Sequence, residues 1–202
     1  VEISTEGGHL LALGLPRAPY PLGGDARDVL ADVQRLGGFT VAAHPASVKP
    51  ELRWDDLSLA IDALEWLNGD SEWRDEDGWS LARALFTYPW RKPEAIATLL
   101  DRPEGLLRQW DTLTARRRVV AIAGADAHAR VGFSSLGEPY DDGLSLRVPS
   151  YEQMFRTLSI ALPDVQLSGD AVADAALVLD ALRQGQVYSV IDALAGPGAL
   201  SF

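Results

Sequence analysis

The chain has 202 residues, 47% of them hydrophobic and 23% charged, with a formal net charge of −11. That balance fits one folded domain spanning residues 1–202 and excludes a disordered chain or nucleic-acid binding through a broad basic face. There is no cysteine and there are three histidines, so disulfides and thiolate metal sites are excluded, and any metal must be held by imidazole and carboxylate.

In chain order, the first segment, "VEISTEGGHLLALG", begins inside what reads as a strand, without an initiator methionine or a signal sequence. Natural sequence upstream of Val1 is therefore expected, and the compartment is left open: cytoplasmic, or periplasmic or secreted if a signal peptide precedes it. "DARDVLADVQRLGG" follows, with Val29, Leu30, Val33 and Leu36 on one helical face, Asp25 as N-cap and glycines to stop it. "FTVAAHP" is a short apolar strand closed by proline, and "IDALEWLNG" is another strand. Helical spacing then runs from about Trp79 to Arg117, interrupted near Pro89, Pro93 and Pro103. "RRVVAIAGADAH" reads as a buried strand, and "SSLGEPYDDGLSLRVP", Ser134 to Pro149, as a long loop after it. "VADAALVLDALRQG" is an amphipathic helix and "QVYSVID" a final strand. No window approaches the roughly 18 apolar residues of a membrane span, so a soluble chain is expected. Alternating strands and helices imply an α/β fold with a parallel sheet, open or closed into a barrel.

Each histidine falls where a strand ends or a loop begins: His9 in "TEGGHLLALG", His44 in "VAAHPAS" and His128 in "GADAHAR". Singly, each has an ordinary reading. His44 before a proline is a packed or solvated loop residue, and His9 after two glycines belongs to a turn. Glu2 is a strand-end surface charge, while Asp126 and His128 form a turn closed by a side-chain-to-backbone hydrogen bond. Alternatively, a strand continuing through Asp126 points its carboxylate and the His128 imidazole to one side. A parallel α/β sheet gathers the C-terminal ends of its strands, and that convergence favours a metal site.

The segments "VEISTEGGHLLALG", "VAAHP", "IDALEWLN", "AIAGADAH" and "LRQGQVYSVID" resemble, in order, the PHP (polymerase and histidinol phosphatase) superfamily of metal-dependent hydrolases. The resemblance implies a distorted (β/α)7 TIM-like barrel with two or three zinc, manganese or iron ions at the C-terminal strand ends. It implies Glu2 as a metal-bridging carboxylate, His9 and His44 as imidazole ligands, and Asp126 with His128 as the closing pair. "LEWLNG", "RQWDTLTARRRVVAIAGADAH" and "GQVYSVIDALAGP" are most similar to the branch of carbaryl-hydrolase-like enzymes. The family's opening His-x-His motif is absent, so the resemblance implies an N-terminally truncated barrel whose metal cluster lacks its first members.

The activity the resemblance implies is hydrolysis of a small phosphomonoester or phosphodiester by a metal-activated water. The alternatives are an aryl carbamate or carboxylic ester hydrolase, and a non-catalytic domain with a degenerate metal site. A small molecule is the expected partner; oligomeric state is left open. Arg130, Arg17 and Asn68 are the candidate substrate contacts, and Glu65 lies on the same strand as Asn68. Trp66 and Trp73 are either core or an apolar wall for an aryl group. With every histidine committed to metal, no Ser-His-Asp arrangement remains, and no phosphate-binding GxGxxG or GxxxxGK[ST] occurs.

Overall fold

A two-residue turn at the start of the chain sets the direction of the sheet. In the computed structural model, which describes residues 1–128, 131–132, 145–146, 148–163 and 165–194, β1 (Glu2–Thr5) is followed by β2 (Gly8–Leu13). The link is far shorter than the dozen or so residues that a parallel crossover needs, so the two strands pair antiparallel, Glu2 opposite Leu11 and Ser4 opposite His9. Gly8, at φ 105°, makes this turn possible, and a Cβ there would lie 2.2 Å from the Arg53 carbonyl oxygen.

Helix α1 (Ala26–Arg35) starts where expected, with the Asp25 carboxylate accepting from the Arg27 and Asp28 amides at 2.8 and 3.4 Å. Such a cap contributes about 1 kcal/mol. β3 (Phe39–Ala42) is buried at every position, as suits a strand covered on both faces. It pairs antiparallel with β2 and parallel with β4 (Ala63–Asn68). Four helices follow: α2 (Gly69–Asp75), α3 (Gly78–Thr87), α4 (Lys92–Ala97) and α5 (Glu104–Thr114). Breaks in the long helical stretch fall at the expected prolines: Pro93 lies in the first turn of α4 and Pro103 is the N-cap of α5.

β5 (Val120–Gly124) adds parallel to β4 and completes a five-stranded sheet in the order β1-β2-β3-β4-β5. The closed (β/α)7 barrel implied by the resemblance is not present among the described residues. The sheet is open and mixed, because the β1–β2 hairpin occupies one edge with antiparallel strands where a barrel would require parallel ones. Only β3, β4 and β5 keep the expected parallel run.

Two short antiparallel pairs accompany the sheet: β6 (Val131–Gly132) with β7 (Ser145–Leu146), and β8 (Ser159–Ala161) with β9 (Tyr188–Val190). Between β7 and β8 lies α6 (Tyr151–Phe155), and between β8 and β9 lies α7 (Ala171–Gln184), closed by Gly185 in the left-handed conformation. Most of the loop expected over 134–149 lies outside the described residues; within it β7 is a strand.

Alternate side chains of β3 and β4 face opposite layers. Ala42 and Leu64 join Val29, Leu30 and Val33 of α1 on one side, while Val41 and Ala63 join Val120, Ile122 and Leu182 of α7 on the other. One edge of this sandwich therefore carries the chain immediately after β3, β4 and β5, and the site is built there. No described helix is long and apolar enough to cross a membrane.

Candidate metal centre

His9 is the second residue of β2, not a residue at a strand's end. It reaches the site because β2 runs antiparallel to β3, which sets the start of one beside the end of the other: the Ala43 amide donates to the His9 carbonyl at 3.1 Å. Glu2 pairs opposite Leu11, two residues from His9 and on the same face. The Glu2 Oε1 atom lies 2.6 Å from His9 Nδ1 and 3.2 Å from His44 Nε2, and the two imidazoles meet edge to face with centroids 5.2 Å apart. One carboxylate between two rings is held low, to a pKa of about 2, chiefly by the His44 hydrogen bond and, against the pull of burial, by His9. Burial by itself would lower the His44 pKa, but the Glu2 hydrogen bond and the charges of Glu65 and Asp126 raise it. His44 Nδ1 is buried with no hydrogen-bond partner, so the ring makes its polar contact through the nitrogen that faces Glu2.

The strand expected to run through Asp126 to His128 stops at Gly124. Asp126 adopts φ 43°, and this left-handed turn does what strand alternation was expected to do. His128 Nδ1 comes to 3.0 Å from the Asp126 carbonyl oxygen and 3.7 Å from its Oδ1. The side-chain-to-backbone turn and the approach of the two side chains, alternatives in the sequence, occur together. A third member, which sequence reasoning missed, is Asp70, whose Oδ1 is 3.7 Å from His128 Nδ1. It sits in the first turn of α2 and is fixed by the Arg74 Nε at 2.6 Å and the Trp73 indole N–H at 2.9 Å. Its signal was positional: it lies two residues past the end of β4, at the sheet edge where His44 and Asp126 lie.

Between the two groups stands buried Glu65. Its Oε2 accepts from the His44 amide and from Asn68 Nδ2, both at 2.9 Å. Asn68 Nδ2 also lies 3.3 Å from Asp126 Oδ2, while its Oδ1 caps α2 by accepting from the Asp70 and Ser71 amides. Asn68, a candidate substrate contact in the sequence, has both ends of its side-chain amide engaged within the protein, by two carboxylates and by the backbone of α2. Burial pushes Glu65 up to about 6, opposed by its two hydrogen bonds and assisted by the charge of Asp126. Burial likewise raises Asp126, with His128 opposing and Asp70 and Glu2 adding to it.

Arg17 is exposed beyond the far end of β2, where Leu13 pairs with the first residue of β3. It lies at the opposite end of the sheet from His9 and does not join the site. Arg130 lies outside the described residues. Of the two tryptophans, Trp66 packs in the core and donates to Ser189 Oγ at 2.9 Å, whereas Trp73 borders the site through Asp70.

Two sets of three donor atoms result, Glu2/His9/His44 and Asp70/Asp126/His128, and within each set all atoms lie within 4.8 Å of one another. Imidazole nitrogen with carboxylate oxygen and no sulfur suits zinc, manganese or iron. The residues fit such ions electrostatically as well: Glu65 and Asp126 are both raised, chiefly by burial, with the charge of Asp126 adding to the first and those of Asp70 and Glu2 adding to the second, so negative charge is gathered where a cation would relieve it. No family model matches the chain, and neither a curated protein nor a solved structure does.

Proposed function

We propose that the chain is a metal-dependent hydrolase acting on a small phosphomonoester or phosphodiester, with one divalent cation at Glu2, His9 and His44 and another at Asp70, Asp126 and His128. The observation that carries this reading is the convergence of two separate nitrogen-and-oxygen triads on one sheet edge. When bound, zinc, manganese or iron would acidify water and neutralise charge on a phosphoryl oxygen.

The chain's own residues supply position. Asn68 and Glu65 hold the backbone of His44 and the carboxylate of Asp126 in place. Arg74 and Trp73 fix Asp70 from the side of α2. Glu2, with 41% of its side chain exposed, keeps the first triad open to solvent and to substrate.

The test is to strip the protein with chelator, reload it with each of the three metals, and measure metal content and hydrolysis of 4-nitrophenyl phosphate and 1-naphthyl methylcarbamate. Retained metal in wild type, loss of it in His44→Ala and turnover of the phosphate ester are expected. Equal metal in both proteins would remove the first triad as a ligand set. Turnover of the carbamate alone would replace the phosphoesterase reading with the carbamate one, and turnover of neither would end the hydrolase reading.

A further inference from the structure

Beside the second triad, helices α2, α3, α4 and α6 and the segments next to them line a half-open cavity of about 250 Å³ whose wall is almost wholly hydrocarbon. Leu81, Ala84, Leu99 and Met154 line it, and the Tyr88 phenol on its wall is already engaged by the Ser150 backbone. Trp73 and Gly69 join this cavity to the candidate metal centre. The Trp73 ring lines the cavity while its N–H donates to Asp70 Oδ1 at 2.9 Å. Gly69 lines it too, and a Cβ there would lie 2.7 Å from the Ala125 carbonyl, one residue before Asp126.

We infer that this cavity is the subsite for an uncharged apolar group, an aryl ring above all, carried by the ester whose scissile group lies at Asp70, Asp126 and His128. The inference rests on the proposed hydrolase reading and adds the substrate class. An apolar cavity of roughly 150 Å³ takes up benzene, so this one has room for a two-ring group. A sugar or other polyhydroxylated group would lose its hydrogen bonds to water against these walls and regain almost none.

Two measurements separate the subsite from the chemistry. The first is calorimetric titration of 1-naphthol into the chelator-treated protein, which needs no metal and no turnover. Saturable binding is expected, unchanged in His44→Ala and weakened about tenfold or more in Ala84→Trp, which fills the cavity. Leu85→Glu, at an exposed residue on the cavity wall, is the second variant in case Ala84→Trp fails to fold, and it should weaken binding likewise. The second measurement compares 1-naphthyl phosphate with methyl phosphate in the metal-loaded protein. Either variant should raise KM for the naphthyl ester and leave methyl phosphate turnover as in wild type. Absence of naphthol binding, or binding indifferent to both substitutions, overturns the subsite even if phosphate esters are hydrolysed. Binding that follows the substitutions while no ester is hydrolysed keeps the cavity as an aryl site and removes the hydrolase reading instead.

Discussion

The Asn68 side-chain amide spans two carboxylates, donating to Glu65 Oε2 at 2.9 Å and lying 3.3 Å from Asp126 Oδ2. Asn68→Asp isolates that role, because aspartate caps a helix as well as asparagine does but replaces the donor with a third carboxylate. Loss of about 1–3 kcal/mol of stability is expected in chelator-treated protein, read from urea unfolding. Unchanged stability would mean that the amide holds neither carboxylate.

Gly124 has no room for a side chain: a Cβ there would lie 2.0 Å from Glu65 Oε1. Gly124→Ala should therefore destabilise by about 1–3 kcal/mol. Truncating the partner should relieve it, so the double variant Gly124→Ala/Glu65→Ala should lie well above the sum of the two single effects. Simple additivity in thermal melts would place the strain elsewhere.

Glu72 predicts a pH dependence. It is buried and accepts from the Asp101 amide at 2.6 Å, and burial pushes its pKa up from 4.5 to about 7, against that hydrogen bond and with help from Asp75, Asp101 and Glu76. A group that binds its proton more tightly when folded favours the fold fully below pH 4.5 and loses that contribution as pH rises through 7. Glu72→Gln should melt higher than wild type at pH 8, by a few degrees or about 1–2 kcal/mol, and the gap should close by pH 4.5. A gap constant across that range would refute the assignment.

Metal loading should be visible in stability before any activity is measured. At a metal concentration about 100-fold above Kd, linkage adds about 2.7 kcal/mol, or roughly 5–10 °C for a chain of this size. Addition of chelator should reverse the shift. His9→Ala and Asp70→Asn should each reduce it, since they remove donors from different triads. A shift unaffected by either substitution would locate the ion outside both.

Much of the central sheet was legible because its signals are local. Asp25 sits directly before the apolar stripe of α1, and continuous apolar runs marked β3 and β5. Closure of the sheet is a matter of distant register, and the two-residue turn before Gly8 decided it against a barrel. Helix α2 escaped notice because its seven residues carry no apolar period; it stands on the Asn68 cap and on the Asp70–Arg74 pair. The five residues singled out from spacing do converge, three in one triad and two in the other. Asp70 belongs to no motif and was missed; only the folded chain brings it to Asp126 and His128. Arg17 was misplaced because strand direction cannot be read from the strand itself.

His44 and Asp126 share one feature: each has a left-handed backbone, at φ 31° and 43°. Such conformations cost of order 1–3 kcal/mol and suit glycine or asparagine better. Selection of this chain for heat resistance alone should therefore favour glycine or asparagine at both positions, relaxing the backbone while stripping an imidazole from one triad and a carboxylate from the other. Durability and ligand set would then diverge at the same two residues.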